Sequence, residues 1–460
     1  MGIHHKSDIP RIVVVGGGFG GASAVQRLLK KLKPGEAEVL LIDRNNFFVF
    51  HPFLVEAGTG SLSPRHAVVG LRAFTRSDDL LMGEFIGADL DQKTIAVRPV
   101  GQAQPRNIPY DHLVLGMGSI TNLPPIPGLH QHGLQVKGVA DAIALRDRAI
   151  RLLEQADQSP DHLLRRELLH FAVVGSSFTG VEVAGEFEVF LKRAARRYSH
   201  VHDSDITVTL IDIAPRILPN LDAKLASFAA EKLQQRGIHL RLNTSVQEVS
   251  EDHIILAGGD RLATRTVIWC AGIAPNPALT ALGLPSDERG WILCSPDLRV
   301  QGHEHLWAIG DCAVNPDPTG RPYPATAQAA VQQGRQLADN LLRVLRGQPT
   351  GPCVIRDRGQ LVALGCRTGV ARIGPIKLAG FAAWFLWRTV YLMKMPGWGR
   401  RLRIALEWTI DLMFGRDDVQ FGLLGVSSLQ TMNPIHPERF EHEPSQRHRL
   451  HRIHHHRSER

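Results

Sequence analysis

Residues 11–33 read RIVVVGGGFGGASAVQRLLKKLK and residues 170–197 read HFAVVGSSFTGVEVAGEFEVFLKRAARR, and the likeness between the two stretches decides the fold. Each opens on a short β-branched run, breaks at a glycine turn and continues with apolar residues at helical spacing, as a βαβ unit requires. In the first, Ala22, Val25, Leu28, Leu29 and Leu32 fall on the helix face that would meet a sheet. Each unit is followed by a second apolar strand ending in an acid: EVLLID closes at Asp43 and ITVTLID at Asp212. A repeat distance of about 160 residues is too long for a solenoid. The chain therefore reads as an α/β protein with two Rossmann-like dinucleotide-binding domains.

The glycines have mechanical reasons. Gly16, Gly18 and Gly21 take the three places of GxGxxG: the first permits the tight turn, the second lets backbone amides approach a pyrophosphate, and the third lets helix pack on strand. The helix start adds free N–H donors and partial positive charge for the phosphates. Asp43, 22 residues beyond Gly21, stands where an acid accepts a hydrogen bond from an adenosine ribose. In the second unit Gly175, Ser177 and Gly180 hold the three places, and Ser177 is the departure. Its Cβ narrows the approach, so either the hydroxyl bonds a phosphate or the dinucleotide sits further out. Asp212 would repel a 2′-phosphate, which favours NADH over NADPH, with Arg216 close by as the opposing charge.

With the segment LWAIGDCA (306–313), the two units resemble the flavin-dependent pyridine-nucleotide oxidoreductases. The resemblance implies FAD on the first turn and NADH on the second. It places Asp311 at the sugar-phosphate part of FAD, Gly118 of LVLGMGSITN (113–122) and Ala327 near that cofactor, and Gly272 near NADH. The disulfide reductases of this superfamily need a cysteine pair after the second strand, and none is present. The stretch there, NFFVFHPFLVEAGTGSLSP (46–64), resembles that of the type II, non-proton-pumping NADH:quinone oxidoreductases. ATAQAAVQQG (325–334) is similar to their AQxxxQ motif, which implies that Gln328 and Gln332 line a flavin and quinone pocket. Four apart on one helix face, the two amides suit neutral hydrogen bonds to a flavin edge or a quinone carbonyl. Lys377 matches a family lysine near flavin and quinone, and Glu182 of TGVE resembles the glutamate beside the nicotinamide, accepting from its carboxamide. Glu182, Gln328 and Lys377 are thus the expected catalytic groups. Tyr391 stands where the family commonly has histidine, and the surroundings of Asp418 lack its arginine-glycine.

The 460 residues suit several cores. We expect a FAD domain from 1–121 and 297–346, an NADH domain over 122–296, a C-terminal membrane-associating helical domain over 347–433 and a disordered, basic, His-rich tail over 434–460. Five cysteines, odd in number and without a CxxC pair, argue against zinc or dithiol chemistry, so no metal is expected and a reducing cytosol fits. MGIHHKSDIP has no apolar leader segment. The net charge of +8 concentrates at Arg400, Arg401, Arg403 and in 447–460, so the basic surface is local and no nucleic-acid partner is expected.

Leu378–Met395 as a helix would measure roughly 27 Å, short of a hydrocarbon core of about 30 Å. Arg388 near its middle would cost about 2.5–3.5 kcal/mol to insert. The segment is therefore expected to lie at the surface, with Trp384, Trp387, Tyr391 and Trp398 at headgroup level. In the next helix Arg400, Arg403, Glu407 and Asp411 oppose Leu402, Leu406, Thr409 and Met413. The expectation is a peripheral, monotopic protein on the cytoplasmic face of an anionic membrane, with packing on the protein's own core or a homodimer interface as the other uses of that face. Two rivals to quinone reduction remain at this point: a soluble ferredoxin or rubredoxin reductase, and an NADH-binding flavoprotein that senses redox state and regulates a partner.

Overall fold

The computed structural model describes residues 9–76, 78–414 and 419–422. Strands β1 (Arg11–Val15) and β2 (Glu38–Asp43) pair in parallel, Ile12 on Val39 and Val15 on Ile42, and helix α1 (Phe19–Lys31) connects them. Every residue of β1 is buried, which is why it is a continuous apolar run rather than an alternating one. The sheet extends on one side through His112–Leu115 and Leu306–Ala308, and on the other through Leu80–Asp89 into an antiparallel meander, Thr94–Pro99 and Arg106–Pro109. An aromatic segment with the short helix α2 (Leu54–Gly58) follows β2.

The second domain repeats the scheme. Its five-stranded parallel sheet runs Gly133–Gln135, Thr266–Trp269, β3 (His170–Val174), β4 (Thr207–Ile211), Ile238–Arg241. Helices α3 (Val139–Gln158), α4 (Phe178–Ala195) and α5 (Ala223–Gln235) cover it. The chain crosses between domains on Ser119–Thr121, which pairs antiparallel with the returning Ile273–Pro275. The Pro/Gly-rich stretch 122–128 is the turn beyond it. Residues 277–296, expected with the second domain, pack on the first: Leu279, Leu284, Ile292 and Cys294 share a core with Val13, Val15 and Leu113. The return strand, not a later loop, is where the chain changes domain. Helix α6 (Ala327–Leu345) then lies on α1 at backbone contact, since a Cβ on Gly334 would sit 2.2 Å from Gly20 O.

The C-terminal domain corrects several expectations. Its sheet has three antiparallel strands, Gln360–Ala363, Gly369–Ile373 and Ile376–Gly380. Leu378 belongs to the last of these, so helix α7 begins only at Phe381, after Gly380 turns the chain with φ +75°, and runs to Lys394. Trp384 and Trp387 are buried, 7% and 2% exposed, and so do not serve a headgroup layer. Arg388 is buried too: its guanidinium lies 4.5 Å from the Trp384 ring centroid and 4.4 Å from that of Trp408, and 3.7 Å from Glu56 Oε1. The arginine that would have been costly in lipid is a structural pin in the protein.

Helix α8 (Trp398–Phe414) buries Ile404 and Trp408 in the core and turns Arg400, Glu407 and Asp411 toward the protein beside them, while Arg403 is exposed. Glu407 pairs with His66 at 2.9 Å and accepts the Ser63 amide at 2.5 Å, Arg400 donates to Val68 O, and Asp411 lies 3.8 Å from Arg193. Leu402, Leu406, Ile410, Met413 and Phe414 face outward, 54–78% exposed, as do Phe381 and Phe385 of α7. Among the described residues no helix is long and apolar enough to cross a membrane. The tail expected to be disordered, 434–460, and Asp418 lie outside the described residues.

Candidate functional site

The first glycine turn is shaped partly by the fold and partly for a guest. A Cβ on Gly16, whose φ is +100°, would lie 2.3 Å from Gly116 O, and one on Gly21 would lie 1.9 Å from Gly16 O. One on Gly18, at the N-cap of α1, would meet nothing within 4 Å. No packing demand explains that glycine; a diphosphate against the helix start does, which is the fit a dinucleotide needs. Asp43 closes the arrangement, with Oδ2 accepting Gly17 N at 2.7 Å and Oδ1 accepting Asn45 N at 2.8 Å. Burial pushes its carboxyl up while those two amides pull it down.

The wall beyond is aromatic and basic. Phe19 lies 5.3 Å from Phe48 and 6.1 Å from the His51 ring. His51 opens to solvent on one side, yet the protein crowding it, followed by the charge of Lys137, pushes its imidazole down to about 4. The Lys137 amine reaches Ser119 Oγ at 3.2 Å; burial lowers it, and Asp311 then Asp141 oppose that. Burial raises Asp311, and the charge of Lys137 opposes it. Gly118, at φ +67°, leaves clear space beside Ser119. Gln333 fixes the Gly-Asp turn by accepting Gly310 N at 2.7 Å.

The second glycine turn repeats this geometry with one addition. Cβ atoms on Gly175 and Gly180 would strike Ala271 N at 2.8 Å and Gly175 O at 1.7 Å. Ser177 is the N-cap of α4 and exposed, its side chain free of any cap bond. Asp212 Oδ2 accepts Ser176 N at 2.5 Å and also Ser176 Oγ at 2.6 Å, and its Oδ1 accepts Ala214 N at 2.8 Å. Gly272, at φ +76°, returns the chain beside Asn122. Arg216 is turned away and donates to Pro219 O at 2.7 Å.

Glu182 lies where α4, the C-terminal sheet and α7 meet. Its Oε1 accepts Ala363 N at 3.2 Å. Burial, with smaller contributions from Glu186 and Glu56, pushes the carboxyl up to about 8, so at neutral pH it carries a proton and is a donor as well as an acceptor. The Trp387 indole leans toward it without reaching hydrogen-bond length. Tyr391, raised first by burial and then by Glu182, borders the same spot.

Of the three residues expected at the quinone, Gln328 and Gln332 share a partner. Gln332 brackets Arg356, accepting its N–H at 3.0 Å and donating to its carbonyl at 3.1 Å, and Gln328 donates to that carbonyl at 3.4 Å. Lys377 pairs instead with Asp222 Oδ2 at 2.6 Å, at the N-cap of α5. Ala327 opens α6 beside Thr326, which caps it. Among the described residues no group of three or more metal-ligating side chains occurs. Sequence reasoning missed Ser176, Lys137, His51 and Gln333. Ser176 and Gln333 each adjoin a residue already singled out and His51 lies within the stretch 46–64, whereas Lys137 had no such signal.

The comparisons agree with this geometry. Residues 10–334 match the family model described as pyridine nucleotide-disulphide oxidoreductase, and residues 358–417 match the NDH2 C-terminal domain. The chain is 28% identical over 421 residues to a type II NADH:quinone oxidoreductase, Ndh, of Mycobacterium tuberculosis, covering 88% of this chain and 89% of that one. It is 31% identical over 447 residues to an internal alternative NAD(P)H-ubiquinone oxidoreductase of Solanum tuberosum mitochondria, covering 90% and 88%. In fold it is similar to NDH2 of Plasmodium falciparum solved with NADH, with a TM-score of 0.83 at 20% identity over 89% of this chain and 99% of that one.

Proposed function

The chain belongs to the pyridine nucleotide-disulphide oxidoreductases and within them to the type II NADH:quinone oxidoreductases, which do not pump protons, and from that premise we propose how its residues divide the work. Gly16, Gly18, Gly21, Asp43, Gly118, Asp311 and Ala327 would hold FAD; Gly175, Ser177, Gly180, Asp212 and Gly272 would hold NADH. The observation that carries this is the shared hydrogen-bond scheme of the two turns, in which the amide after the first glycine binds the acid at the end of the next strand, at 2.7 Å in one and 2.5 Å in the other. Bound FAD supplies a two-electron relay from the nicotinamide to a quinone.

The protein's own groups position and protonate. Lys137 sets a positive charge beside Asp311 on the FAD side of the cleft. Glu182 holds a proton at its carboxyl at neutral pH and stands beside α7, so it suits both a hydrogen bond to the nicotinamide carboxamide and proton delivery toward a quinone. Gln328 and Gln332 brace the Arg356 backbone and so shape the wall between α6 and the C-terminal sheet. Lys377, tied to Asp222, acts by holding that sheet to the NADH domain.

The outward apolar face of α7 and α8 supports peripheral seating on a membrane, where a quinone resides. Arg400 and Arg401 are occupied by backbone carbonyls, so seating leans on apolar area more than on the basic cluster. The test of the quinone wall is steady-state NADH oxidation with a short-chain quinone in Gln332→Leu. A loss of kcat with the quinone KM raised is expected; wild-type constants would remove these glutamines from the site.

A further inference from the structure

The two dinucleotide turns differ at the position after their first glycine, and the difference reaches the acid. Gly17 touches Asp43 only through its amide, whereas Ser176 binds Asp212 through its amide at 2.5 Å and its hydroxyl at 2.6 Å, both on Oδ2. Ser176 is fully buried, so this hydroxyl is neither a phosphate contact nor a solvent contact. A side chain at position 17 would be crowded, its Cβ 2.6 Å from Leu71 Cδ1; there, packed protein keeps the acid in place. Beside Asp212 the protein is open, and its neighbour Ile213 is 75% exposed.

An acid at an open site has a rotamer to lose. With both donors on Oδ2 and Ala214 N on Oδ1, the Asp212 carboxylate is fixed in plane, and the remaining acceptor position on Oδ1 is the one a ribose hydroxyl can use. A fixed carboxylate at that point also stands against a 2′-phosphate, since it cannot swing aside, and Arg216 is held off on Pro219. We infer that Ser176 determines nicotinamide selectivity: its buried hydroxyl locks Asp212 in the orientation that accepts NADH and excludes NADPH. This rests on the reading that the second turn binds NADH. Ser176 is a positioning residue, since it acts through Asp212.

The test uses the purified, flavin-loaded enzyme with a short-chain quinone and either nicotinamide, and compares Ser176→Ala with Ser176→Gly, the residue the first turn carries. Both variants are expected to keep their flavin. The ratio of kcat/KM for NADH to that for NADPH should fall about tenfold, the worth of one hydrogen bond to a charged group, through KM rather than kcat. A loosened domain would raise both KM values together and leave the ratio unchanged, and that result overturns the inference. Asp212→Asn separates the two levels. If it collapses the ratio while both Ser176 variants preserve it, only the role of Ser176 fails; if it too preserves the ratio, the NADH reading at this turn fails with it.

Discussion

Replacing Glu182 by Gln tests the half-buried carboxyl where three elements meet. Gln keeps the oxygen that accepts Ala363 N and fixes the group as neutral at every pH. In the folded protein the carboxyl is pushed up to about 8 from an ordinary value of 4.5. Between those two values the folded chain holds a proton that the unfolded chain has released. Its contribution is fully present below 4.5, shrinks as pH rises, and is gone once pH passes through 8. The interval of roughly 3.5 pH units at ~1.36 kcal/mol each bounds the loss at about 5 kcal/mol. The assay is the melting temperature of wild type and Glu182→Gln across that range, read as a difference so that groups common to both cancel. The variant should gain on wild type by roughly 4 °C or more between pH 5 and pH 8.5. In parallel, the wild-type kcat should decline as pH rises through 8 while the variant is slow throughout. A constant gap between the melting curves would refute the burial argument.

Three further outcomes follow from the geometry. Gly21→Ala places a methyl 1.9 Å from Gly16 O, so the purified variant should come out without its yellow flavin, as an absorption spectrum would show. Arg388→Leu removes two aromatic stacking contacts worth about 2 kcal/mol or more when desolvated; thermal unfolding should begin several degrees lower, and an unchanged transition would mean the arginine is not a pin. Leu406→Glu with Met413→Glu puts charge on the outward face of α8, and should abolish flotation with lipid vesicles while leaving short-chain quinone turnover near wild type.

The parts of the molecule legible in the sequence are those built from local rules. β1, α1 and β2 could be read because a strand buried on both faces must be continuously apolar, and because Gly16 and Gly21 stand where any Cβ would strike backbone. The two acids were legible because a strand end fixes their place. The C-terminal helices were harder, since an apolar-aromatic run looks the same whether it meets lipid or protein. Trp387 and Arg388 meet protein because Phe53, Glu56 and Trp408, distant in the chain, converge on them. Helix α8 carries apolar residues on two faces, Ile404 and Trp408 in the core and Leu402 and Leu406 outward, because His66 and Ser63 draw Glu407 toward the protein. The partner of the Lys377 amine, Asp222, lies 155 residues away in the chain. No periodicity announces such long-range pairings.

One anaerobic mixing experiment bears most directly on the division of labour between the two turns. Yellow, purified protein should lose its flavin colour on addition of NADH and recover it on addition of a short-chain quinone, with Asp212→Asn slowing only the first of the two steps. Protein that stays yellow with NADH, or that bleaches and is not recoloured by quinone, would contradict the account.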